Sequence, residues 1–186
     1  MVLLESSELE YGKAIQNFDL PDTSSDRNFS NADLEKDITV VAFICNHCPY
    51  VVRIAEDFSA LASKTQDFVD WIAISANDPD YREEDSPENM AKFAAKYGFE
   101  FPYLFDEEQE VARAFGAVCT PDIFVFKKSS LREAEGDVAI SQEPTYRLCY
   151  HACFEDLERA LNDLKTSDKI SFEDKPSAGC SIKWRS

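Results

Sequence analysis

The chain lacks most of the features that would place it on a membrane, on a nucleic acid or outside the cell. No apolar run approaches the about 20 residues a helix needs to cross a bilayer. The opening Met1-Val2-Leu3-Leu4-Glu5-Ser6 has neither a basic n-region nor a full apolar h-region. No secretion signal is read there, and the expected location is the cytoplasm. Basic residues are scarce: 19 Lys and Arg stand against 36 Asp and Glu, a formal net charge of −17. Without clustered Lys and Arg, neither nucleic acid nor an anionic membrane is an expected partner. Internal repeats are missing too, and no composition break marks a second domain. One domain over 1–186 is expected, with a loose arm over about 1–10 and a tail over about 167–186.

What is present suits a globular domain. The 186 residues are 44% hydrophobic and 30% charged, enough to bury a sizeable core. The run Asp78-Pro79-Asp80-Tyr81-Arg82-Glu83-Glu84-Asp85 reads as a solvated loop. It has no cation-ligand spacing. Six cysteines in a cytosolic chain point to catalysis, metal binding or inert filling rather than to a disulfide framework.

The informative stretch is Cys45-Asn46-His47-Cys48. Residues 39–44 form a short, continuous run rich in β-formers and apolar from Val40 on, as in a buried strand. After Pro49, apolar residues at 51, 54, 55, 58, 61 and 62 form one face of a helix. The two thiols therefore flank a strand-to-helix turn. Free N–H groups and the positive dipole end favour a thiolate there.

Further strands are expected over 68–75, 101–105, 123–126 and 146–151. Helices are expected from Ser86-Pro87-Glu88 to Gly98, from about 107 to Gly116, and over 154–164. Residues 127–143 are ambiguous. Strands alternating with helices indicate an α/β sheet covered on both faces. Cys149, His151 and Cys153 would share one face of a strand. That could present metal ligands, but the spacing is not a zinc pattern, and small residues on a plain strand are the preferred reading.

The order strand, Cys-x-x-Cys, helix, strand, helix, strand, helix, Thr-Pro, strand resembles the thioredoxin fold. Phe18-x-Leu20-Pro21-Asp22 is similar to the opening of the redoxin branch, which holds alkyl hydroperoxide reductase and thiol-specific antioxidant proteins. The strings Phe43-Ile44-Cys45-Asn46-His47-Cys48-Pro49-Tyr50-Val51, Glu84-Asp85-Ser86-Pro87-Glu88 and Phe101-Pro102-Tyr103-Leu104-Phe105-Asp106 look like a peroxiredoxin-like group. So do Ala117-Val118-Cys119-Thr120-Pro121-Asp122 and Lys175-Pro176-Ser177-x-Gly179-Cys180-Ser181-Ile182-Lys183-Trp184. The resemblance implies a thioredoxin-like three-layer fold: a central mixed sheet, helices on both faces and a redoxin-type N-terminal extension.

It also implies a function. Cys45 would be the more exposed thiol and the attacking thiolate, and Cys48 would resolve the mixed disulfide. His47 would lower the Cys45 pKa. Pro121 would be a cis-proline facing the dithiol, leaving the backbone of Thr120 free to pair with an extended substrate. Cys119 reads either as an accessory thiol or as a small apolar filler. Cys180 reads first as a structural residue packing with Trp184, and second as a resolving thiol.

Two departures from pattern matter. Thr39 stands where thioredoxins place a buried Asp, and Val41 and Cys45 stand where peroxiredoxins place Pro and Thr. The expected activity is thiol–disulfide exchange or antioxidant defence without a cofactor or metal. The partners would be a disulfide- or peroxide-containing substrate and a thiol electron donor. The rivals are a thiol peroxidase passing through a sulfenic acid and a Cu- or Zn-binding redoxin.

Overall fold

The computed structural model describes residues 3–6, 10–129, 145–173 and 175–185. Strand β1 is Leu3–Glu5, β2 Asp19–Pro21, β3 Asn28–Ser30 and β4 Ile38–Phe43. Helix α1 is Pro49–Thr65, followed by β5 Val69–Ser75, α2 Pro87–Tyr97 and β6 Tyr103–Phe105. Then come α3 Glu110–Phe115, β7 Cys119–Thr120, β8 Asp122–Lys128, β9 Tyr146–Ala152, α4 Leu157–Thr166 and β10 Ala178–Ser181.

The main sheet runs β6-β5-β4-β8-β9. β4 pairs in parallel with β5, as β5 does with β6, while β8 and β9 are antiparallel. The sheet is mixed, and β4 lies at its centre. All six residues of β4 are buried, which is what a strand covered on both faces requires.

Two apolar clusters fill the space on either side. One takes Val40 and Ala42 of β4 with Val51, Phe58 and Leu61 of α1, Met90 and Phe93 of α2, and Leu157 and Leu161 of α4. The other takes Val41 and Phe43 with Phe115 of α3, Phe18 and Ile182. Helices thus cover both faces, in a thioredoxin-like three-layer arrangement with the β2–β3 hairpin as its N-terminal extension. Helix α2 closes on Gly98 in the left-handed region, at φ 68°. Burying aromatic rings of about 150–250 Å² each supplies much of the driving force, and Phe58 alone meets Trp71, Phe99, Phe101 and Phe154.

Several sequence expectations are corrected. The arm is paired where it is described: β1 runs antiparallel to β10. The tail is structured for the same reason, since β10 lies between β1 and β7 in a second, three-stranded sheet. The short helix expected from about 107 begins at Glu110, because Gln109 sits in the left-handed region at φ 61°. Most of the ambiguous segment, residues 130–144, lies outside the described residues.

Cys149, His151 and Cys153 do not share a face. The register slips between Val125 and Phe126, whose partners are Tyr150 and Leu148, so Cys149 is the extra residue of a β-bulge. Cys149 then packs against the α1–α4 side, while His151 stacks on Phe124 of the other cluster and bonds Asp122 at 2.7 Å.

Candidate active site

The Cys-x-x-Cys turn leaves β4 and enters α1. Cys48 is the N-cap residue of α1 and Pro49 its first helical residue, a position where the missing N–H costs nothing. The turn is held from below by one carboxylate. Asp85 is wholly buried; its Oδ1 accepts from Asn46 N at 2.8 Å and His47 N at 3.3 Å. Its Oδ2 lies 2.6 Å from His47 Nδ1 and accepts from Asn77 Nδ2 at 2.8 Å. Asn46 is fixed as well: its Nδ2 donates to Glu84 O at 2.7 Å and its Oδ1 accepts from Tyr103 Oη at 3.1 Å.

The end of the acidic run is therefore no solvated loop. A short 3-10 turn, Glu83–Asp85, turns the last carboxylate inward as the clamp on the redox turn. His47 is tied to this clamp. Its Nδ1 pairs with Asp85.

Cys45 and Cys48 are both 0% exposed, so Cys45 is not the more exposed thiol. Cys45 Sγ lies 3.1 Å from Thr120 Oγ1, and Cys48 Sγ lies 3.1 Å from Thr120 O. The Thr120–Pro121 bond is cis, as the resemblance implies, and Thr120 of β7 lies against both thiols. That edge is already taken. β10 pairs antiparallel with β7, with Cys180 opposite Thr120 and Ser181 opposite Cys119. The backbone of Thr120 is thus engaged by the chain's own tail.

Cys180 Sγ lies 2.9 Å from Cys48 Sγ. Its expected packing partner Trp184 instead stacks under the Arg113 guanidinium at 4.3 Å. Cys119 lies on the opposite side of β7 from Thr120, as neighbours on a strand do. Its thiol meets Pro121 O at 3.8 Å.

The electrostatics separate the thiols. The hydrogen bond from Cys45 holds Cys48 well below the usual thiol range, against the opposing effect of burial. The Cys180 thiol and the free Val51 N–H in the first turn of α1 act in the same direction. Cys45 moves the other way, because its proton bridges to Cys48, because it is buried, and because the Asp85 charge is close. Burial raises Cys180 to about 12 and pushes Cys119 up as well. Of the two, Cys48 is the thiol favoured as thiolate, through the hydrogen bond from Cys45.

One group of side chains could hold a metal ion among the described residues: the ligand atoms of Cys45, His47 and Asp85 lie within 4.8 Å of one another. Thr39, at the position of the thioredoxin Asp, is buried with no partner for its hydroxyl. It lies on the β4 face of Val41 and Phe43, away from the thiol cluster. No helix among the described residues is long and apolar enough to cross a membrane.

Asp85, Asn77, Tyr103 and Gly179 are site residues that sequence reasoning passed over. The first has a signal in hindsight. Asp85 lies inside the string Glu84-Asp85-Ser86-Pro87-Glu88, and the helix start explains only Ser86, Pro87 and Glu88.

Fold and site together define a thioredoxin-like redoxin. The AhpC/TSA family matches residues 11–134, and the chain belongs to that family. An uncharacterized conserved protein from Geobacillus kaustophilus is 35% identical at a TM-score of 0.82, over 100% of this chain and 97% of that one. A hypothetical protein from Sinorhizobium meliloti 1021 is 31% identical at a TM-score of 0.85, over 97% and 98%. A thiol-disulfide oxidoreductase from Bacteroides fragilis shares the fold, with 14% identity and a TM-score of 0.61 over 82% and 99%. No curated protein matches the chain.

Proposed function

We propose that the protein is a thiol–disulfide oxidoreductase that works through Cys45 and Cys48, without a cofactor. One observation carries this reading: a buried dithiol flanks a helix N-terminus, with the β7 edge against both sulfurs. The expected roles are exchanged, because Cys48 is the thiol whose pKa is lowered: Cys48 attacks the disulfide of the substrate, forming a mixed disulfide and releasing the first substrate thiolate. Cys45 then attacks Cys48 Sγ, closing the Cys45–Cys48 disulfide and releasing the second. A thiol donor of the cytoplasm restores the pair. A cleft lined by Tyr50, Arg53, Ile54, Pro121, Phe154 and Ala178 gives the substrate an approach beside β7 and β10.

Trapping tests the reading. A glutathione-capped peptide is offered to reduced Cys45→Ser and Cys48→Ser proteins, and adducts are read by mass spectrometry. Because Cys180 lies beside Cys48, both proteins also carry Cys180→Ser; the Cys45→Ser form is expected to accumulate a mixed disulfide on Cys48, and the Cys48→Ser form to stay unmodified. An adduct on Cys45 in Cys48→Ser would reverse the two roles. No adduct in either would end the oxidoreductase reading.

A second reading rests on the same low-pKa thiol. By its resemblance to the peroxiredoxin motif Cys48 would stand in the place of the peroxide-reacting cysteine, and a thiolate there could be oxidised by a hydroperoxide to a sulfenic acid. Peroxide consumption in the presence of a thiol donor, lost in Cys48→Ser, would support it.

A further inference from the structure

We propose that Cys180 is a third redox thiol, carried into the substrate position by the chain's own tail, and that it exchanges with the Cys45–Cys48 disulfide to form a Cys48–Cys180 disulfide. The inference rests on the dithiol reading above. Three observations support it independently of any titration.

The first is contact. Cys180 Sγ is 2.9 Å from Cys48 Sγ, and both are fully buried. The second is register. β10 lies antiparallel on β7 with Cys180 opposite Thr120, which is how an extended substrate would present a sulfur to the dithiol. The third is Gly179. A Cβ at that position would lie 2.0 Å from Thr120 O and 2.6 Å from its carbonyl carbon. Only glycine lets the tail come this close to the β7 backbone.

The tail is also held firmly. Ile182 N donates to Val118 O at 3.1 Å, Lys183 N to Asn77 Oδ1 at 2.8 Å, and Gln109 Nε2 to Lys183 O at 2.9 Å.

The step needs no outside oxidant or reductant. The Cys180 thiolate attacks Cys48 Sγ in the Cys45–Cys48 disulfide. The Cys48–Cys180 bond forms, the Cys45–Cys48 bond breaks, and Cys45 leaves as a thiolate that takes up the proton Cys180 gave up. One disulfide is consumed and one is made. In this state β10 is locked onto β7. An outside substrate can pair with Thr120 only after β10 is reduced and lifted away, so the tail is an internal substrate that competes with external ones.

The experiment equilibrates four full-length proteins across glutathione redox buffers, quenches them in acid, alkylates free thiols and maps disulfides by mass spectrometry. Wild type is expected to show both Cys45–Cys48 and Cys48–Cys180 links. Cys45→Ser is expected to show Cys48–Cys180 alone. Cys180→Ser is expected to show Cys45–Cys48 alone. Gly179→Ala, whose Cβ would push β10 off the Thr120 carbonyl, is expected to lose most of the Cys48–Cys180 link. If Cys180→Ser forms its disulfide normally while Cys45→Ser shows no Cys48–Cys180 link at any buffer ratio, the relay is overturned and the dithiol reading stands. If Cys180→Ser forms no Cys45–Cys48 disulfide, the dithiol reading itself falls.

Discussion

Asn77 donates to Asp85 Oδ2 at 2.8 Å and accepts from Lys183 N at 2.8 Å, so one amide joins the clamp on the redox turn to the C-terminal tail. Both bonds are made by a side chain that is almost fully buried. The position of the tail and the shape of the Cys-x-x-Cys turn are mechanically linked through this residue. Neither can shift without leaving a buried polar group unmet.

Removing the clamp should cost stability and loosen the turn. Asp85→Ala leaves Asn46 N, His47 N and Asn77 Nδ2 without their acceptor. The expected loss is about 3–5 kcal/mol, because several buried donors go unmet at once. Urea denaturation of the reduced protein measures it. A change under about 1 kcal/mol would mean that water replaces the carboxylate without penalty.

The charge on Cys48 predicts a pH dependence. Its folded-state pKa is lowered, so the stabilisation is fully present above the unfolded thiol value of about 8.5 and drains away as pH falls toward the folded value. The stability advantage of reduced wild type over Cys48→Ser should therefore shrink steadily from mildly alkaline to acid pH. Thiolate absorbance at 240 nm should persist well into the acid range and vanish in Cys48→Ser. A titration near the ordinary thiol value would contradict the assignment.

Thr39 offers the opposite kind of test. Its hydroxyl is buried without a partner. Thr39→Val keeps the shape and removes the unmet group, so a gain of about 0.5–1 kcal/mol is expected. Dithiol exchange should run at its usual rate. A marked slowing would show that the hydroxyl does part of the work of the absent Asp.

The His151–Asp122 pair is a structural bond. His151→Ala leaves Asp122 buried and without its 2.7 Å partner and removes the stack on Phe124. A loss of about 2–3 kcal/mol is expected, with the Cys45–Cys48 exchange intact. Zinc titration should be the same in variant and wild type. A drop in zinc uptake would revive the metal reading of Cys149, His151 and Cys153.

The sheet, its helices and the placing of the dithiol could be read from sequence because each depends on local pattern. The unbroken apolar run before Cys45 and the 3.6-residue stripe after Pro49 leave few alternatives. What could not be read depends on contacts far apart in sequence. Asp85 looks like any other acid in an acidic run until the fold brings it under Asn46. The β-bulge at Cys149 is set by pairing with β8, so alternation alone puts Cys149 and His151 on one face. The tail shows almost no periodicity, since β10 is four residues held by backbone pairing on both sides rather than by an amphipathic face. Gly179 could be seen as a glycine, but the carbonyl it makes room for is known only from the fold.

Cys48 and Cys180 lie 132 positions apart along the chain. A bond between Cys45 and Cys48 closes a tiny ring and hardly restrains an unfolded chain. A bond between Cys48 and Cys180 would close most of the protein into one loop, which the chain-entropy account values at about 5 kcal/mol. Two oxidised forms with the same electron count would then differ greatly in how hard they are to unravel. A protease or an unfolding machine would distinguish them, even where a redox dye could not.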